Sequence, residues 1–71
     1  MLSRHATSED FTVWAARGAK MTADMLNHVI ADCRAAQEAA QTYDPILEGF
    51  YSDQAATYAD VRRRRLSKGG R

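Results

Sequence analysis

Apolar positions fall at three- and four-residue steps through the first two thirds of the chain. Phe11, Trp14, Ala15, Gly18, Thr22, Met25, Leu26, Val29, Cys33, Ala36, Ala40 and Tyr43 share one face at about 100° per residue. Arg17, Lys20, Asp24, Asn27, Arg34 and Glu38 fall opposite. Thr7 or Ser8 supplies a capping oxygen, and Glu9 and Asp10 place negative charge in the first turn, so the pattern predicts a long helix over about 8–41. Within that face Ala15, Ala19, Thr22, Leu26, Val29, Cys33, Ala36, Ala40 and Tyr43 alternate four and three, as in a coiled coil. A helix of that length spans roughly 50 Å.

Asp44 followed by Pro45 is the capping residue and first-turn proline of a second helix, which puts a turn at 42–44 and a shorter helix over about 45–65. Leu47, Phe50, Tyr51, Gln54, Tyr58 and Val61 form its apolar face; Asp53, Ala56 and Asp60 point away. Ser67, Lys68, Gly69 and Gly70 do not favour helix, so a flexible basic tail is expected over 67–71, after a helical hairpin over 1–66. The predicted fold is all-α: an antiparallel two-helix hairpin in which residues whose numbers sum to about 88 face each other, completed by oligomerisation.

In that register Val61 lies near Asn27, and Phe11, Trp14 and Gly18 extend past the hairpin with nothing in the chain to cover them. Phe11, Trp14, Gly18, Met21 and Met25 are therefore the candidate interface, because an aromatic stripe beside a residue that admits close approach is typical of a binding surface. The alternative is that the first two turns break away and fold back over the hairpin. A helix-turn-helix would instead break the chain around Gly18 to Lys20 and start a recognition helix near Thr22, but the polar stripe stays in phase through that point.

Composition narrows the possible chemistry. A chain of 71 residues builds a marginal core unless something supplements it. Cys33 is the sole cysteine, which excludes an intrachain disulfide, and His5 and His28 stand too far apart for a structural zinc pattern. Association is the remaining supplement. His28 lies roughly 140° around the helix from Cys33, so the two do not form a nucleophile and base, and Cys33 is expected to be a buried inert thiol. Asp32 intrudes on the apolar side, either paired with an arginine or marking the edge of the stripe. Paired general acid and base residues and a glycine-rich phosphate loop are both missing from the sequence, so no enzyme, cofactor, metal or small-molecule substrate is expected. The first ten residues lack the apolar core of a signal peptide and no run is long enough to span a membrane, which predicts a cytoplasmic protein or one incorporated into an assembled particle.

Net charge is only +1, yet every acidic residue lies at or before Asp60, while six of the ten basic ones lie from Arg62 onward. Arg62, Arg63, Arg64, Arg65, Lys68 and Arg71 are candidates for an acidic partner or for nucleic-acid phosphates; the alternative is a solvated helix end whose charge complements the helix dipole. Tyr51 and Tyr58 are assigned to the core rather than to base stacking. The expected role is a non-enzymatic structural or interaction subunit that self-associates or docks on a larger assembly, a phage particle among the candidates. The second expectation is a small nucleic-acid-binding accessory protein using the arginine-rich end. Secreted hairpins with a Trp-x-Gly turn are not a match, because the turn here is Thr42, Tyr43, Asp44. The likeness to small helical subunits of phage particles and other large assemblies, with acidic bodies and basic tails, is architectural.

Overall fold

A computed structural model describes residues 4–69, with side chains described through Arg65. The described residues are all-helical, with three helices: α1 (Ser8–Ala19), α2 (Ala23–Ala40) and α3 (Pro45–Gly69). α3 is the common partner, packing along both α2 and α1. The long axis measures 43 Å, about the length of a 25-residue helix at 1.5 Å per residue.

The first helix starts where the sequence placed it. Thr7 is its N-cap, with the Asp10 N–H donating to Thr7 Oγ1 at 3.3 Å and the Thr7 N–H returning to Asp10 Oδ2 at 2.9 Å, a reciprocal capping box. The turn before α3 also follows the expected chemistry. The N–H groups of Tyr43 and Asp44 both donate to the Ala40 carbonyl, and Asp44 Oδ1 accepts from the Leu47 N–H at 3.1 Å, with Pro45 in the first helical position.

The single long helix is corrected to two. α1 ends at Ala19 because the N–H groups of Lys20 and Met21 turn back to the Arg17 and Gly18 carbonyls, each at 3.1 Å, in three-residue closures that stop helical propagation. Thr22 then adopts extended backbone and caps α2, its Oγ1 accepting from the Met25 N–H at 3.1 Å. The physical reason is burial. A straight helix leaves Trp14 in water, whereas the break lets it reach α3 and fall to 5% exposure, a gain that outweighs a few interrupted helix bonds.

The expectation that Phe11, Trp14 and Gly18 have nothing to cover them is corrected with it: Trp14 and Gly18 are buried inside the chain, and Phe11 is 39% exposed. Of the predicted apolar face, Leu26, Cys33 and Ala40 are buried; Ala15, Ala19 and Thr22 are exposed. Ile30 joins the core in their place. Tyr43, predicted on the apolar face, is 69% exposed because α2 stops at Ala40 and leaves it in the turn. On α3 the buried residues are Ala55 and Tyr58, flanked by partly buried Phe50, Ala59 and Val61.

α3 also continues to Gly69, past the predicted end near 65. The side chain of Lys68, and Gly70 and Arg71 of the expected flexible tail, lie outside the described residues.

Candidate interaction surfaces

α1 meets α3 through rings. Trp14 stands edge-on to Phe50 with centroids 5.2 Å apart; Phe11 stands edge-on to Trp14 at 5.5 Å and Tyr51 to Phe50 at 6.0 Å. These four form one continuous ladder in the T-shaped geometry that the ring quadrupoles favour. Phe11 closes it on the solvent side, and Ile46, one turn before Phe50 on α3, is 40% exposed. Ile46 and Val13 are exposed apolar groups that the sequence pattern did not single out, since both lie to the side of the apolar stripe of their own helix.

Further along, Gly18 lies against Tyr58 and Val61. A Cβ at Gly18 stands 3.2 Å from one Val61 methyl, 3.3 Å from the other and 3.3 Å from Tyr58 Cδ1, so glycine here admits a close helix crossing. Met21 is partly buried and Met25 is 52% exposed. The five candidate interface residues are therefore divided: Trp14 and Gly18 face α3, Met21 is intermediate, and Phe11 and Met25 face outward.

The segment before α1 is tied to the same place. The Arg4 guanidinium donates to both carboxylate oxygens of Asp10, at 2.5 and 3.1 Å, and lies 5.3 Å from the Phe50 ring centroid, within cation–π range. The Arg4 hydrogen bond, followed by the Thr7 backbone N–H, holds the Asp10 carboxyl far below the usual carboxylate range. A depressed folded-state pKa contributes stability that is fully present above the unfolded value near 4 and is lost as pH falls from there toward the folded value. Amide protection across α1 is accordingly expected to fall below about pH 4, and an Asp10→Asn variant to show less protection at neutral pH and a flatter acid profile. Hydrogen exchange between pH 2.5 and 7 checks both.

The arginine run separates into inner and outer members. Arg65 caps the carboxyl end of α1, its guanidinium donating to the carbonyls of Gly18 at 3.2 Å, Ala19 at 3.0 Å and Met21. A cation at that position also meets the negative end of the helix dipole. Arg62 donates to Asn27 Oδ1 at 2.9 Å across α2 and α3. Arg63 and Arg64 are exposed and both pair with Asp60, Arg64 at 3.0 Å. Arg34 of α2 joins Arg62 and Arg63 around an open hollow floored by Ala56 and Ala59. Sequence reasoning missed the Arg65 clamp, because backbone carbonyls carry no side-chain signature.

Cys33 is buried, and burial, with Asp32 beside it, pushes its thiol pKa up, which suits an inert thiol. Asp32, midway along α2, is exposed. Among the described residues, no group of three His, Cys, Asp or Glu side chains could hold a metal ion, and no helix is long and apolar enough to cross a membrane. No family model, curated protein or solved structure matches the chain.

Proposed function

We propose that this chain is a non-enzymatic structural subunit that associates with copies of itself through the apolar face of α1. The observation that supports this is the ring ladder from Phe11 through Trp14 and Phe50 to Tyr51: it is continuous, and its outer ring, Phe11, stays 39% exposed, as does Ile46 at 40% one turn before Phe50 on α3. Such a partly desolvated aromatic cluster is the usual centre of an interface. A core of this size also gains from a second chain. Incorporation into a larger particle extends the same role.

The test is the molar mass of the full-length chain by size-exclusion chromatography with light scattering, at low and high salt. A discrete oligomer that persists in high salt is expected, since apolar contacts are not screened. A monomer at both salts and at all concentrations overturns the proposal.

A second reading, nucleic-acid contact, is favoured by Arg34 joining Arg62 and Arg63 around one hollow, so that the charge is not confined to the end of α3. Asp60 sits in the same hollow and takes up part of that charge. Binding to a duplex that weakens steeply between about 50 and 200 mM salt would support this reading.

A further inference from the structure

α1 is joined to α2 by residues 20–22 alone, and it packs on α3. The connection contains neither proline nor glycine. The four-three seam runs through it in phase from Ala15 and Ala19 to Thr22 and Leu26, so the same sequence also encodes one continuous helix across the break. In the closed chain Ala15, Ala19 and Thr22 are exposed, whereas Leu26, Cys33 and Ala40 of the same seam are buried. Beside the observed broken helix that covers its own α3, the phase of the seam is thus compatible with a straight helix that carries α1 away from it.

The direction of packing decides what the straight form meets. Trp14 touches Phe50, Gly18 touches Tyr58 and Val61, and Arg65 reaches the end of α1, so α1 and α3 run parallel. Asn27 meets Arg62 while Ala40 lies at the turn into α3, so α2 and α3 run antiparallel. Two straight helices set antiparallel about a two-fold axis near residue 21 place α1 of one copy beside α2 of the other. There it is also parallel to the other copy's α3, the orientation already used within one chain.

We propose that two copies of this chain exchange α1. In the exchanged dimer each α1 continues α2 as one helix and docks on the other copy's α3, reusing the Trp14–Phe50 and Gly18–Tyr58 contacts. Ala15, Ala19 and Thr22 then face the second long helix. Exchange of an identical element needs no new binding surface, and short hinges favour it. Opposing it, the Arg65 clamp and the Thr22 cap exist only in the closed form, so the two forms interconvert with concentration. This inference rests on the self-association reading and specifies its mode.

Two hinge variants test it in the full-length chain. Ala23→Pro places proline at the first position of α2, where Thr22 is already extended, so the closed form accepts it; in the continuous helix the same proline is interior. It is expected to weaken dimerisation by about a hundredfold for each long helix, on the order of 10⁴-fold in all, with helicity by circular dichroism unchanged. Thr22→Ala removes the cap that only the closed form uses, and is expected to tighten dimerisation about fivefold per chain, about thirtyfold in the constant. If Ala23→Pro stays folded and dimerises like the parent, exchange is overturned while self-association stands. If the parent and both variants remain monomeric at every concentration, both readings are overturned. Should Ala23→Pro fail to fold, Thr22→Ala decides: a tighter dimer supports exchange, and an unchanged or weaker one overturns it.

Discussion

Trp14→Ala is expected to release α1 while leaving α2 and α3 paired. Trp14 is 5% exposed and is the one α1 side chain whose ring reaches both Phe11 and Phe50. Truncation of a buried tryptophan costs about 3–5 kcal/mol. The remaining ties to α3 are the Arg4 guanidinium over the Phe50 ring, the Gly18 contact and the Arg65 clamp. A 12-residue helix without a docking surface is marginal. Hydrogen exchange should therefore show amides 8–19 losing most of their protection, while those of α2 and α3 keep most of theirs. Retention of α1 protection in the variant would mean that Trp14 is not its anchor. Release also removes the ladder on which self-association depends, so the same variant should run as a monomer.

The contrast between the two ends of the long predicted helix shows what sequence pattern conveys. The all-helical class, the start at Ser8 and the turn before Pro45 rest on local chemistry: a capping box within four residues, an Asp-Pro pair, a stripe in phase. Such signals act between near neighbours and can be read without the rest of the chain. The break at 20–22 carries only one such signal, the Thr22 cap, which the in-phase stripe outweighs; the gain that drives the break is burial of Trp14 against a residue 36 positions later. Hydrophobic phase identifies which face of α1 is apolar but not which surface covers it. The same limit applies to the arginines. Four in a row are legible as charge; that Arg65 spends its guanidinium on the end of α1 and Arg62 on Asn27 depends on where the helices cross.

Tyr58→Ala is expected to act on the whole chain rather than on α1 alone. Tyr58 is 1% exposed, one of the two largest fully buried side chains, and it belongs to the cluster that joins Trp14 of α1 to Leu26, Ile30 and Cys33 of α2. Removing a ring of that size from a packed core costs about 3–5 kcal/mol, and a domain of this length has only about 4–11 kcal/mol to lose. Urea unfolding should show the midpoint falling by about a third or more, with loss of protection in all three helices at once. Tyr58→Phe separates ring from hydroxyl. Removing one hydroxyl alters stability by about 1 kcal/mol. A large loss in Tyr58→Phe would shift the role from packing to hydrogen bonding. A purely local effect of Tyr58→Ala, confined to α1, would mean that α2 and α3 hold each other without it, with the three helices behaving as a stable pair and a detachable arm. Global collapse instead makes Tyr58 the point at which arm and pair share one core, so that an exchanged α1 would restore the core of its partner.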